Sequence, residues 1–289
     1  MNPRSGRATD FPPAALVVQS PFLKRADVEE LAARSRAESV VALTENAFRL
    51  PGAARDDSLS AWCDERRIDH AWMPAGRRFA DLRLLAMDMD STLITIECID
   101  ELGDLAGRKP EIAGITAQAM RGEIDYPESL RRRVSLLEGL EQSALSEVYD
   151  ERLKLTAGAQ ALIDACKRSG VKLLLVSGGF TFFTERLKAR LGLDYTISNT
   201  LETRNGRVTG RILGHIVDAD AKAAKFRSVL KELDARKEQS VAIGDGANDL
   251  KMMAEAGLSV AFRAKPVVAA QADCALKWSG LDGVLNLFE

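Results

Sequence analysis

Three short stretches of this 289-residue chain carry residues that could do chemistry. The first is Asp88-Met89-Asp90-Ser91-Thr92. Residues 84–89 read as a short strand buried on both faces, because the run is apolar without alternation. Residues i and i+2 of a strand share a side, so Asp88 and Asp90 are expected to converge just beyond its carboxyl end, where open α/β sheets hold ligands. A buried carboxylate there needs a partner or a metal. The second stretch is Ser177-Gly178-Gly179-Phe180, after the apolar run 172–176. The third is Gly244-Asp245-Gly246-Ala247-Asn248-Asp249, after the run 240–243. Each is weak alone. A strand followed by two spaced aspartates is more often a turn with solvated carboxylates, Ser-Gly-Gly is common in plain turns, and the third could be a loop of helix-capping residues. At three strand ends of a parallel sheet, however, they can line one crevice. Carboxylates crowded there repel unless a cation sits among them, and oxygen-only ligands select a hard ion, Mg²⁺ foremost. A hydroxyl, backbone N–H groups at a Gly-Gly turn opening a helix, and a lysine would complete a phosphate site.

The elements that must position these residues alternate from about residue 158 onward. Helices are predicted at 158–169, 181–191, 221–233, 250–256 and from 266. Strands are predicted at 172–176, 194–198, 240–243, 258–262 and 274–277. Residues 200–214 read as a hairpin with Asn205-Gly206 at its tip, where both residues tolerate the positive φ of a type I′ turn. This alternation argues for an α/β fold with a doubly wound parallel sheet. Four charged helical stretches lie between the first and second motifs, at 97–106, 111–121, 126–137 and 142–153. They read as a small helical bundle inserted after the first strand. Upstream, strands at 15–19, 39–43, 47–50 and 68–73 and helices at 26–36 and 56–67 form a small α/β module over residues 1–80. Asp57 or Ser58 is the predicted cap of the second helix. The module has no cluster of reactive residues. It reads as a structural or oligomerising appendage, with a regulatory small-molecule domain as the alternative.

Composition excludes other classes. Hydrophobic content of 46% suffices for a packed core, and a net charge of −2 without a basic stripe gives nucleic-acid binding no support. Residues 1–15 are polar and Pro-rich, a frayed terminus and not a signal peptide. No apolar run nears the ~20 residues of a membrane span. Cys63, Cys98, Cys166 and Cys274 are far apart and form no CxxC, so buried free thiols in a cytoplasmic protein are expected. Only His70 and His215 could complement them, which disfavours zinc. The expected partners are a small-molecule substrate and, at most, a second copy of the chain as a homodimer.

DMDST, SGGF and GDGANDL resemble the three motifs of the haloacid dehalogenase superfamily. Glu97-Cys98-Ile99-Asp100-Glu101, Ala119-Met120-Arg121-Gly122-Glu123 and Ser129-Leu130-Arg131-Arg132-Arg133-Val134 are similar, further, to the helical cap of its phosphoserine phosphatases. The resemblance spans residues 82–289. Residues 1–80 are only loosely similar to the accessory, ACT-like domain of longer bacterial members. It implies a haloacid dehalogenase-like core at 81–289, with a cap at about 97–153 and a hairpin flap at about 200–214. It also implies Mg²⁺-dependent hydrolysis of O-phospho-L-serine to serine and phosphate, the last step of serine biosynthesis. By resemblance, Asp88 is the nucleophile that becomes an aspartyl-phosphate, and Asp90 is the general acid and then the base. Asp88, the Asp90 carbonyl and Asp245 would hold Mg²⁺, with Asp249 supporting them. Ser177, the Gly178 N–H, Lys222 and Asn248 would bind the phosphoryl group, Lys225 being the competing lysine. Glu97 would take the substrate ammonium and Arg133 its carboxylate, with Arg131 and Arg132 as competitors. Met120 and Tyr126 would form an apolar gate, Tyr126 standing where phenylalanine is more usual. Two alternatives stay open: a phosphatase or phosphotransferase for another small phosphomonoester, and a catalytically silent ligand sensor. Intact Asp88, Asp90, Lys222 and Asp245 argue against the sensor.

Overall fold

The computed structural model describes residues 15–56 and 58–289. The segment 1–14, read as frayed, and Asp57, one of the two predicted caps, lie outside the described residues. Strands β1 (Ala15–Gln19), β2 (Val41–Thr44), β3 (Ala47–Pro51) and β4 (Asp69–Met73) form an antiparallel sheet in the order β2-β3-β1-β4. Helices α1 (Arg25–Arg34) and α2 (Ser58–Glu65) cover one face of it. Leu16 and Val18 of β1 meet Val28, Leu31, Leu59 and Trp62 there. Val17, Ala71 and Met73 point the other way into the larger core, as the period of two requires. The N–H of Ser58 donates to Asp56 Oδ1 at 2.8 Å, so Asp56 serves the start of α2.

The second sheet has seven strands: β5 (Leu84–Asp88), β6 (Lys172–Phe180), β7 (Tyr195–Arg204), β8 (Arg207–Leu213), β9 (Ser240–Gly244), β10 (Leu258–Phe262) and β11 (Cys274–Leu276). Their order is β11-β10-β9-β5-β6-β7-β8. Every pair is parallel except β7 with β8, so the predicted parallel sheet is a mixed one. The strand predicted at 194–198 and the first arm of the predicted hairpin are one strand, β7. It begins beside β6 and continues as half of the flap. Asn205 (φ 53°) and Gly206 (φ 76°) make the tip, in the left-handed conformation foreseen for them.

Helices α3 (Cys98–Leu105), α4 (Lys109–Met120), α5 (Tyr126–Ser135) and α6 (Ser143–Glu147) form the insert between β5 and β6. Ile112, Leu130, Val134 and Leu145 are buried there and join the core below. The flap braces the insert: Gly139 N donates to Val208 O at 2.9 Å and Gln142 N to Gly206 O at 2.8 Å. Then follow α7 (Ala159–Arg168), α8 (Thr181–Leu191), α9 (Ala219–Glu232), α10 (Leu250–Glu255) and α11 (Pro266–Ala269). The sheet is wound on both faces. Leu85 and Met87 face the core shared with α7 and α8, whereas Leu84 and Ala86 face Phe226 of α9, Met252 of α10 and Val268 of α11. All four cysteines are buried and unpaired. Among the described residues, no helix is long and apolar enough to cross a membrane.

Buried polar anchors lock the two sheets together. The Asp69 carboxylate accepts N–H bonds from Lys277 (2.6 Å), Trp278 (3.2 Å) and Ser279 (2.8 Å). Gln19 Nε2 donates to Gly283 O at 3.0 Å, and Arg49 Nη2 to Phe288 O at 2.7 Å. Buried N–H groups left without an acceptor cost about 1–3 kcal/mol each. Asp69→Ala is therefore expected to lower the urea-unfolding free energy by at least about 2 kcal/mol while kcat stays unchanged. An unchanged unfolding midpoint would show that Asp69 does not hold the sheets together.

Candidate active site

β5 ends at Asp88, and residues 89–93 form a wide turn with Ser91 in a left-handed conformation (φ 56°). Strand alternation therefore does not pair Asp88 with Asp90, contrary to the sequence argument. The turn does, and both aspartates line one cleft of about 600 Å³ between the sheet and the helical insert. Asp90 is fixed from two sides. Its Oδ1 accepts the N–H of Cys98 at 2.8 Å, at the start of α3, and its Oδ2 accepts the Ser177 hydroxyl at 3.2 Å. Ser91 Oγ donates to Glu97 Oε1 at 2.7 Å.

Lys222 comes from α9 and is wholly buried. Its Nζ donates to Asp88 Oδ1 at 2.5 Å and Asp249 Oδ1 at 2.8 Å. Lys225, its competitor, stands instead 5.7 Å from the Tyr195 ring centroid. Asp249 Oδ2 accepts the Gly246 N–H at 3.1 Å. A Cβ at Gly244 would lie 2.6 Å from that carboxylate, so the close approach requires glycine. Carboxylate oxygens of Asp88, Asp245 and Asp249 lie within 4.8 Å of one another. Asp249 was expected only to support the cluster. It is one of its three members.

The second motif differs from the predicted turn. β6 runs on through Ser177 to Phe180 with its register broken between Val176 and Phe180, and α8 begins at Thr181. Ser177 Oγ accepts the Gly179 N–H at 2.8 Å. The Gly178 carbonyl accepts the Tyr126 hydroxyl at 3.2 Å and Asn199 Nδ2 at 2.7 Å. Tyr126 is thus a polar tie between insert and sheet, and the predicted apolar gate needs that correction. Burial pushes its phenol up to about 12.

Glu97, Met120, Tyr126 and Arg133 of the insert line the same cleft as Asp88, Asp90, Gly178, Asp245 and Asn248. Lys222 and Ser177 lie directly beneath, fully buried. Arg133 Nε donates to Ser129 O at 3.4 Å, whereas Arg132 is spent on Glu128 at 2.7 Å on the outer surface. Met120 is 55% exposed at the rim, with Lys265 Nζ 3.4 Å from its sulfur. Sequence reasoning missed Lys265, Asn199, Asp218 and Asp220. Asp218 had a signal, since it caps α9 through Ala221 N (2.9 Å) four residues before Lys222.

The lining is strongly acidic. Asp88, Asp90, Glu97, Asp100, Asp218, Asp220 and Asp245 face Arg133 and Lys265. Burial raises the Asp88 and Asp90 carboxyls above the usual range. Burial and the Asp90 charge bring Glu97 to about 7, and burial and Asp249 bring Asp245 to about 6. For Lys222 burial opposes the ammonium, but Asp249 and Asp88 outweigh it and hold the proton on. Such a cleft suits a ligand that brings cations or binds with one.

A buried carboxylate at a central strand end, a second in the following turn, and a buried lysine bridging two acids fit one known class. The family model of haloacid dehalogenase-like hydrolases matches residues 85–254, and the chain belongs to that family. A second model, a domain of unknown function, matches residues 16–59. The phosphoserine phosphatase of Polaromonas sp. (strain JS666) is 54% identical over 215 residues, which cover 73% of this chain and 91% of that one. The solved structure of a probable phosphoserine phosphatase from Vibrio cholerae is 37% identical and has a TM-score of 0.83. It covers 95% of this chain and 86% of its own. A substrate-bound phosphoserine phosphatase complex, 36% identical with a TM-score of 0.68, covers 72% of this chain and 99% of its own. Within the hydrolases, the branch to which the chain belongs is that of the phosphoserine phosphatases.

Proposed function

We propose that this protein hydrolyses O-phospho-L-serine to L-serine and phosphate in a Mg²⁺-dependent reaction, the last step of serine biosynthesis, in the cytoplasm. The observation that carries the reading is one cleft lined by two sets of groups. Asp88, Asp90, Gly178 and Asp245 line it from the strand ends, and Glu97 and Arg133 from the helical insert. A phosphorylated amino acid needs both, because its ammonium matches Glu97 and its carboxylate matches the planar fork of Arg133. Residues 81–289 are proposed as the phosphatase unit, with the cap at 97–153 and the flap at 200–214. Residues 1–80 are proposed as its accessory domain.

The oxygen cluster of Asp88, Asp245 and Asp249, with raised carboxyls at Asp88 and Asp245, fits a hard divalent cation. Asp88, the Asp90 carbonyl and Asp245 would hold Mg²⁺, and Asp249 would share its oxygens between that shell and Lys222. When bound, the ion would neutralise phosphoryl charge beside the nucleophile. The chain's own groups would do the rest. The Asp88 carboxylate attacks phosphorus, and the P–O bond to serine breaks as Asp90 gives its proton to the leaving oxygen. The resulting aspartyl-phosphate is hydrolysed by a water that returns its proton to Asp90. The raised Asp90 carboxyl suits a group that must first carry that proton. Ser177, the Gly178 N–H, Lys222 and Asn248 would hold the phosphoryl oxygens.

The test is phosphate release from O-phospho-L-serine, with Mg²⁺ and with a chelator, beside p-nitrophenyl phosphate. A strong Mg²⁺-dependent preference for phosphoserine is expected. Turnover of the nitrophenyl ester alone would keep the phosphatase and discard the substrate. Arg133→Ala is expected to raise KM for phosphoserine roughly 10–100-fold, the worth of a charged hydrogen bond, and to leave KM for the nitrophenyl ester nearly unchanged. Equal losses on both substrates would remove Arg133 from the carboxylate.

A further inference from the structure

Two adjacent glycines leave Gly178-Gly179 with more backbone freedom than any other pair of residues would have. The strand ladder does not restrain them, since β6 loses register with β7 between Val176 and Phe180. Something else must hold the segment on which phosphoryl binding depends. Asn199 stands where β7 changes partner. Its pairing with Phe180 is the last parallel contact, and the antiparallel ladder with β8 starts at Thr200. It is 1% exposed. Both ends of its amide are used, in opposite directions. Nδ2 donates to Gly178 O at 2.7 Å, and Oδ1 accepts the N–H of Val217 at 2.8 Å. Val217 precedes Asp218, the cap of α9, and α9 carries Lys222.

The peptide unit is planar, so holding the Gly178 carbonyl also aims the N–H of Gly179. That N–H donates to Ser177 Oγ at 2.8 Å, and Ser177 donates to Asp90 Oδ2 at 3.2 Å. An unbroken hydrogen-bonded chain therefore runs from the start of α9 through Asn199 and the glycine segment to Asp90. We infer that Asn199 is a positioning residue: it clamps the Ser177-Gly178-Gly179 segment to the start of α9, so that the phosphoryl-binding groups and Lys222 keep one mutual geometry. Tyr126 reaches the same carbonyl from the cap at 3.2 Å, but Asn199 alone ties it to α9 among the hydrogen bonds that carbonyl accepts. Asparagine is demanded by the chemistry. Aspartate has the same shape and keeps the acceptor for Val217, but sets an oxygen against the Gly178 oxygen.

The inference deepens the functional reading and rests on the cleft being a phosphoryl site. Its test uses Asn199→Asp and Asn199→Ala in the full chain with Mg²⁺, with Thr184→Val as control. Thr184 bonds Ser198 at 2.7 Å, next along β7, and touches none of the cleft. Displacement of reacting groups by an ångström costs up to about 10²-fold in rate. The Asn199 variants are expected to lose roughly 10–100-fold in kcat and to weaken inorganic phosphate binding, read by calorimetry, by a comparable factor. KM for phosphoserine should move less, because Glu97 and Arg133 hold its head. Thr184→Val should lower Tm and leave kcat and phosphate affinity as they were. Asn199 variants that lose Tm alone, as the control does, would overturn the inference. If neither variant folds, the wild-type ¹⁵N resonance of the Asn199 side chain decides: it should shift when inorganic phosphate is added, and a resonance that stays put overturns the clamp. Wild-type protein that binds phosphate but does not cleave phosphoserine would sink the substrate and leave the Asn199 test standing. Wild-type protein that binds no phosphate would overturn both.

Discussion

Asp88→Asn is expected to lower phosphoserine turnover by about 10⁴-fold or more, with the fold intact. The amide oxygen is too weak a nucleophile to displace serine from phosphorus, and no other carboxylate occupies the end of β5. The fold should survive because the substitution is nearly isosteric. Burial already disfavours the charge at Asp88, so a neutral amide relieves that cost. Lys222 loses one opposite charge, while the Asn oxygen can still accept its N–H, and it keeps Asp249 at 2.8 Å. Rapid-quench assays beside thermal melts would check both halves. Turnover within tenfold of wild type would place the nucleophile elsewhere.

Lys222→Met is expected to cost about 3–5 kcal/mol of stability and to remove turnover as well. The lysine sits with no exposed surface between Asp88 and Asp249, themselves 5% and 0% exposed. Without the ammonium, two buried carboxylates face each other uncompensated, which is worse than never having built the pair. The pH dependence has a definite sign. Burial sets the Asp88 carboxyl above its unfolded value, and loss of the lysine removes the charge that opposed this. A carboxyl with a raised folded pKa favours the folded state as it gains its proton, so the deficit of the variant should shrink from pH 7.5 towards 5.5. Urea midpoints at the two pH values measure it. Adding Asp249→Asn should return part of the stability and none of the turnover. A deficit that grows on acidification would contradict this account.

Which residues share the cleft was largely readable because strand ends announce themselves. Apolar runs stop abruptly at Asp88 and Asp245, and alternation with helices says that both lie on one edge. What misled was local geometry beyond the last strand residue. Period-two reasoning was carried one step too far at Asp90, where a turn with a left-handed Ser91 takes over. Ser-Gly-Gly looked like a turn because glycines usually mark one, yet β6 stays extended to Phe180 across a break in its register with β7. The hairpin signal at Asn205-Gly206 was so strong that it cut β7 in two and hid Asn199 at the junction. Long-range partners of this kind carry no local pattern. Lys265 and Asp220 are likewise ordinary surface residues until the insert folds back over the sheet and makes a cleft beside them.

Strand β5 lies between β6 and β9, which the chain supplies only at Lys172–Phe180 and Ser240–Gly244. A ribosome making this protein therefore releases the apolar segment Leu84–Asp88 long before its second neighbour exists. At 5–20 residues per second that interval is roughly ten to thirty seconds. During it the nascent chain displays an unpaired edge of bare aliphatic strand, the kind of surface that chaperones bind and that aggregates when they do not. Arrested chains that stop short of Ser240 should accordingly be retained by ribosome-associated holdases and be cut readily by protease, whereas chains extended past Gly244 should acquire resistance in one late step.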